Sequence, residues 1–126
     1  MSKARCILVV EDDESIRDLV NMTLCDEGYE VLTAPHGAAA LDVIERSKPD
    51  FILLDMCMPV MDGWEFSRVY KQTPGPHAPI VVLTAAHHAA SPAAEIEADG
   101  YLSKPFDLDD LLDLVSLHTG HGKSAA

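Results

Sequence analysis

The sequence predicts an α/β domain built on one doubly wound parallel sheet, and three observations carry that expectation. Short apolar runs rich in β-branched residues occur at Cys6–Val10, Phe51–Leu54 and Ile80–Leu83, with a briefer one at Tyr101-Leu102. Segments with apolar residues at helical spacing separate them, so strand and helix alternate along the chain. No internal repeat or linker interrupts the alternation, and 126 residues suit one domain with a real core.

Each element has its own signal. Cys6–Val10 is continuously apolar, as a central parallel strand buried on both faces requires. Glu14–Glu27 puts Ile16, Leu19, Val20, Thr23 and Leu24 on one helical stripe, with Gly28 as the C′ residue. Glu30–Thr33 is a short strand, Pro35-His36-Gly37 a turn, and Ala38–Ser47 a helix carrying Leu41 and Ile44. Pro49 leads into a strand over Asp50–Leu54, and a loop runs from Asp55 to Asp62. Asp62 and Glu65 have capping-box spacing for a helix over Gly63–Gln72. Thr73-Pro74-Gly75-Pro76 is a loop, Ile80–Leu83 the fourth strand and His87–Ala90 another loop. Ser91 as N-cap and Pro92 at N1 start a short alanine-rich helix that Gly100 ends. Tyr101–Ser103 is the fifth strand and Leu108–Leu117 the last helix, with a core stripe of Leu108, Leu111, Leu112 and Val115. Leu114 and Leu117 fall off that stripe, as either harmless exposed leucines or a partner surface. The folded domain is expected over residues 1–119, with residues 120–126 a flexible polar tail.

Composition narrows the function. A formal net charge of −12 makes nucleic acid and anionic membranes unfavourable partners. Cys6, Cys25 and Cys57 are odd in number and lack metal-ligand spacing. Cys6 and Cys25 read as core thiols on a strand and a helix, Cys57 as an inert thiol, and a reducing cytoplasm follows. Neither a cleavable leader nor a membrane-length apolar stretch is evident, which agrees with a cytoplasmic protein. His87-His88, with His118 and His121 elsewhere, lack ligand spacing and read as solvated.

Glu11-Asp12, Asp55, Thr84 and Lys104 each sit at or just past the end of an apolar run. Neighbouring parallel strands bring them to one sheet edge, where open α/β folds bind ligands. Three carboxylates side by side repel, and at least one pKa must rise unless a cation intervenes. A hard divalent cation such as Mg²⁺ takes oxygen ligands of this kind. Such a site suits a dianionic phosphoryl group, whose transfer needs mainly positioning and charge stabilisation. Asp55 is the best nucleophile because it directly follows the central strand, and Thr84 offers a hydroxyl donor. Which of the adjacent acids serve the metal stays open on this reading, since acids there also favour the first helix's N-terminus. Val9-Val10 immediately before Glu11 favours the Glu11-Asp12 pair.

The segments Ile7–Asp13 (ILVVEDD), Phe51–Gly63 (FILLDMCMPVMDG), Ile80–Ala85 (IVVLTA) and Gly100–Phe106 (GYLSKPF) together resemble the receiver domain of two-component response regulators. The likeness covers roughly Arg5 to His118, with four motifs in order. It implies a five-stranded flavodoxin-like sheet of order 2-1-3-4-5 flanked by five helices, an order for which the chemotaxis receiver is itself a worked example. The resemblance further implies Asp55 as phosphoacceptor, with Mg²⁺ held by Asp12, by Glu11 through water, by Asp55 and by the Cys57 backbone carbonyl. Lys104, before a cis bond to Pro105, would pair with the phosphoryl group. Thr84 and Tyr101 would switch with phosphorylation.

Implied partners are a sensor histidine kinase or histidine phosphotransfer protein, a downstream protein target and a weak homodimer. Output would use the face formed by the fourth helix, fifth strand and fifth helix, and the chain reads as a stand-alone switch rather than a metabolic enzyme. Absence of Lys and Arg from the fourth helix weakens the case for charged dimer contacts. Ala86, two residues after Thr84, leaves little help for a hydrolytic water, so a long-lived acyl phosphate is expected. Rival readings are a receiver excised from a longer regulator or hybrid kinase, a flavodoxin-like cofactor binder and an aspartyl phosphohydrolase. The cofactor binder lacks its phosphate loop where Glu11–Glu14 stand, and the hydrolase lacks its second acid where Cys57 stands.

Overall fold

The computed structural model describes residues 5–85 and 90–119. Five strands form one parallel sheet: β1 Cys6–Val10, β2 Glu30–Ala34, β3 Phe51–Asp55, β4 Ile80–Ala85 and β5 Gly100–Lys104, in the order β2-β1-β3-β4-β5. Five helices alternate with them: α1 Glu14–Asp26, α2 Gly37–Arg46, α3 Gly63–Gln72, α4 Ala90–Glu95 and α5 Leu108–Thr119. The predicted fold class and strand order are both present.

Strand alternation divides the core in two. Leu8, Val10, Ile52, Leu54, Ile80 and Val82 pack with Ala40, Ile44, Phe66, Tyr70, Ala93 and Ile96 from α2, α3 and the α4 segment. Ile7, Val9, Phe51, Leu53, Val81 and Leu83 pack with Val20 and Leu24 of α1 and Leu111 and Val115 of α5. Helices cover both faces, which is why β1 and β3 are buried at every position.

Several boundaries move by a residue or two, and some moves matter. Asp55, Thr84 and Lys104 lie inside β3, β4 and β5 rather than beyond them. At α1, Asp13 is the N-cap, its Oδ1 accepting from the Ile16 amide at 3.1 Å. Gly28 closes that helix with φ of 93°; its amide and that of Tyr29 reach the Cys25 and Leu24 carbonyls. His36, expected in a turn, caps α2 by accepting from the Ala39 amide at its Nδ1. Asp62 caps α3, but the reciprocal half of the capping box is missing, because Glu65 pairs with Arg68 at 2.5 Å.

Ser91 and Pro92 stand within α4 rather than at its start. Gly100 does not end α4. Glu97 does, with φ of 55°, and the Glu97 and Ala98 amides bond the Ala94 and Ala93 carbonyls. Cys25 is exposed rather than a core thiol, since Leu24 takes the inward position beside it. Leu19 is likewise 48% exposed, because Val20 and Leu24 alone fill the buried line of α1. Leu114 is partly buried, packed against the apolar layer between α5 and the sheet. His118 stacks on the buried Phe51 ring, 5.9 Å between centroids, instead of standing free in water. The expectations for Ala86, His87-His88, His121 and the tail lie outside the described residues.

A side chain with a β-carbon costs roughly 1 kcal/mol or more in the left-handed region, so Glu97→Gly is expected to raise unfolding free energy by about 1 kcal/mol. Urea melts of the two proteins measure the change.

Candidate functional site

Register places the site. Val10 pairs with Leu54, so Glu11, the next residue along, is level with Asp55 on the neighbouring strand. Asp55 pairs with Leu83, which sets Thr84 one step beyond it on β4. Ala85 pairs with Lys104, completing a row of chemistry along the C-terminal edge. Glu11, Asp55 and Thr84 are all buried, at 0%, 3% and 5% exposure.

Carboxylate oxygens of Glu11, Asp12 and Asp55 lie within 4.8 Å of one another. Lys104 Nζ stands 2.8 Å from Glu11 Oε1 and 3.6 Å from Asp55 Oδ2. The Glu11 contact is one of charge rather than an aligned hydrogen bond, since Oε1 has no hydrogen-bond partner although it is fully buried. The other Glu11 oxygen accepts from the Asp13 amide at 3.2 Å, and Asp55 Oδ1 accepts from the Cys57 amide at 3.3 Å. One ammonium thus faces three acids. The site carries excess negative charge, with Glu11 and Asp55 buried and Asp12 exposed to water.

That imbalance shows in the acid–base chemistry. Burial first, then the Glu11 charge and the Asp12 carboxyl, push the Asp55 pKa up to about 8, with Lys104 opposing. For Lys104, burial acts to lower the pKa, but contact with Glu11 and the charges of Asp55, Glu11 and Asp12 outweigh it and raise it. A divalent cation removes the conflict at its source. Clustered hard oxygen donors with a buried, unsatisfied Glu11 Oε1 fit such an ion.

The loop from Met56 to Asp62 is clamped at both ends. Met61 O accepts from the Gly37 amide at 3.0 Å, and the Gly63 amide donates to Met56 O at 3.0 Å. A β-carbon at residue 63 would lie 2.5 Å from Met56 Sδ and 2.8 Å from its Cα, so only glycine fits there. Between the clamps, the Met61 amide reaches back to Pro59 O around Val60, which has φ of 68° and is 80% exposed. This β-branched residue in a left-handed conformation is the strained point of the loop. Sequence reasoning passed over it because only glycine advertises a positive φ.

Lys104-Pro105 is cis, as expected, and Tyr101 points outward with 49% exposure. Asp13 is occupied in capping α1, while Glu11 and Asp12 lie with Asp55 in one carboxylate cluster.

Strand order and edge chemistry together define a flavodoxin-like domain with an acidic edge site. The chain belongs to the response regulator receiver domain family, whose profile matches residues 7–116. A response regulator, MprA of Mycobacterium sp. (strain KMS), is 43% identical over 108 residues, 84% of this chain and 46% of that protein. The chain therefore spans about half the length of that relative. The chemotaxis response regulator CheY4 of Vibrio cholerae is 36% identical with a TM-score of 0.83, over 91% of this chain and 98% of that one. The signal receiver domain of a signal transduction histidine kinase from Syntrophus aciditrophicus is 27% identical with a TM-score of 0.85, over 98% and 96%. The protein is thus a regulatory domain of two-component signalling.

The pH dependence of stability follows from the Asp55 shift. Its folded pKa exceeds the unfolded value, so between about pH 4 and 8 the folded state keeps a proton that the unfolded state has lost. Stability from this group therefore falls as pH rises through that window, while the upward shift of Lys104 acts only at higher pH. Thermal melts in a chelator are expected to show the decline and Mg²⁺ to suppress it; a Mg²⁺-independent slope refutes the assignment. Replacing Lys104 by Met leaves the buried acids uncompensated and is expected to cost about 3 kcal/mol in chelator, less in Mg²⁺, by urea melts.

Proposed function

We propose that Asp55 accepts a phosphoryl group from a sensor histidine kinase or a histidine phosphotransfer protein, with Mg²⁺ required. The supporting observation is the buried Asp55 carboxylate at the C-terminal end of β3, grouped with Glu11 and Asp12 and 3.6 Å from Lys104. In the reaction, an Asp55 oxygen attacks phosphorus and the donor's N–P bond breaks. The imidazole departs with the electron pair and takes up a proton. The product is an acyl phosphate on Asp55.

Glu11, Asp12, Asp55 and the Cys57 carbonyl would hold Mg²⁺, which supplies charge neutralisation for the phosphoryl oxygens. Lys104 pairs with one phosphoryl oxygen and the Thr84 hydroxyl donates to another. Both are already in the edge row, so the site needs little reorganisation. Burial of Thr84 and the outward stance of Tyr101 support a switch in which these two side chains move with phosphorylation. Output leaves through the α4–β5–α5 face to a downstream protein. The protein works in the cytoplasm as a switch whose site assists its own phosphorylation and hydrolysis, and turnover of a metabolic substrate is not its role.

The chain acts as a stand-alone regulator on this reading. A second reading, a receiver belonging to a longer regulator, is favoured by one observation: the MprA relative extends over about twice the matched length.

Incubation with acetyl phosphate and Mg²⁺, followed by intact mass, is expected to add one phosphoryl group to the wild type and none to Asp55→Asn. Equal labelling of both overturns the assignment. Thr84→Ala is expected to retain labelling while losing the phosphorylation-dependent change in the Tyr101 environment, followed by nuclear magnetic resonance. Should the acyl phosphate decay within seconds, the expectation of a long lifetime fails.

A further inference from the structure

Val10 is the last residue of β1 paired with β3, so the Glu11-Asp12 peptide lies just past the ladder that fixes the strand. Glu11 is held on its amino side by β2, its amide donating to the Ala34 carbonyl at 3.0 Å. On its carboxyl side the Glu11 carbonyl accepts from Nη1 of Arg17, half-buried on α1, at 2.9 Å. A peptide unit is planar, so fixing that carbonyl orients the whole unit joining the Glu11 Cα to the Asp12 Cα. Both side chains branch from those two atoms.

The choice of partner is informative. Asp13 and Glu14 stand four and three residues before Arg17, within reach on one helical turn, and the chain carries a net charge of −12. Among the described residues the Arg17 guanidinium nevertheless makes no ion pair. An arginine serving general charge balance belongs on a carboxylate, whereas this one is committed to the main chain. Three further bonds close the circuit around it. The Arg17 amide donates to Asp13 O at 2.9 Å, the Ile16 amide to Asp13 Oδ1 at 3.1 Å, and the Asp13 amide to Glu11 Oε2 at 3.2 Å. The turn bearing two of the three clustered acids is thereby fastened to the first turn of α1. We infer that Arg17 is a positioning residue for the divalent-cation site, setting through the Glu11-Asp12 peptide how those two carboxylates meet an ion shared with Asp55. The inference deepens the proposed function and rests on it, because Mg²⁺ is the ion that function requires.

The sign and the ion selectivity of the effect test it. Mg²⁺ demands near-octahedral geometry, whereas Ca²⁺ accepts irregular coordination, so loss of positioning falls mainly on Mg²⁺. A guanidinium acting only through its charge would repel both ions alike, and its removal would tighten both. A residue needed only for folding would leave their ratio unmoved. In calorimetric titrations of the full chain, Arg17→Ala is expected to weaken Mg²⁺ about tenfold and Ca²⁺ by no more than about twofold. Arg17→Lys keeps the charge and one donor and is expected to lose only about threefold for Mg²⁺. Urea melts in chelator check that each variant folds, and Arg17→Lys carries the test alone should Arg17→Ala not fold. Equal losses for the two ions, unchanged affinities, tighter binding, or a wild type that does not bind Mg²⁺ overturns the inference. Acetyl phosphate labelling keeps the two readings apart. A wild type that binds Mg²⁺ but takes no label refutes the phosphoacceptor role alone, whereas a labelled wild type with Mg²⁺ affinity unchanged in the variants refutes the role of Arg17 alone.

Discussion

Crowding of Glu11, Asp12 and Asp55 against a single ammonium is the constraint on which the rest of the structure depends. Two of these acids are essentially without contact with water, and Lys104 lies within 4 Å of both. Charges buried this way are costly unless compensated, and one cation cannot compensate three anions. The domain thus carries uncompensated negative charge at one edge of its sheet, in a cluster of hard oxygen donors of the kind that fits a divalent ion. The same conflict that lifts the Asp55 pKa makes that carboxylate responsive to what binds beside it.

The scaffold has to hold this arrangement against its own repulsion. Parallel register does most of it, bringing Glu11, Asp55, Thr84 and Lys104 to one edge from four separate stretches of sequence. Two apolar layers, one on each sheet face, keep that register from slipping, since a one-residue shift would turn every core side chain to the wrong layer. The Met56–Asp62 loop is fastened at Gly37 and Gly63, so strain at Val60 is confined between two fixed points. Chemistry and packing share residues here: the end of β3 is both the centre of the core and the start of the site.

Periodicity and punctuation made the fold legible from sequence. Continuous apolar runs of four or five residues with intervening amphipathic segments admit few arrangements other than a covered parallel sheet. Cap chemistry was readable where a short polar side chain met a helix start, as at Asp62, or where glycine followed a helix, as at Gly28. It was unreadable where an atypical residue filled the role. His36 at an N-cap and Glu97 at a C′ position carry no such signature, because each is set there by the path of the chain rather than by its own preference. Exposure was hardest to foresee: Leu19 stands exposed and Leu114 partly covered, because helical spacing defines a stripe but not its width, and the packing around each helix decides that.

By itself, then, the amino-acid order determined which residue types stand at the ends of which strands, and therefore the kind of chemistry the domain can perform. Tertiary structure alone decided how they share one site: that Glu11 is wholly buried, and that Lys104 reaches across from the far edge strand. The physical reason is distance along the chain. Local preference reaches only a few residues, whereas Glu11 and Lys104 meet through the register of four strands, and that register is an outcome of packing the whole sheet.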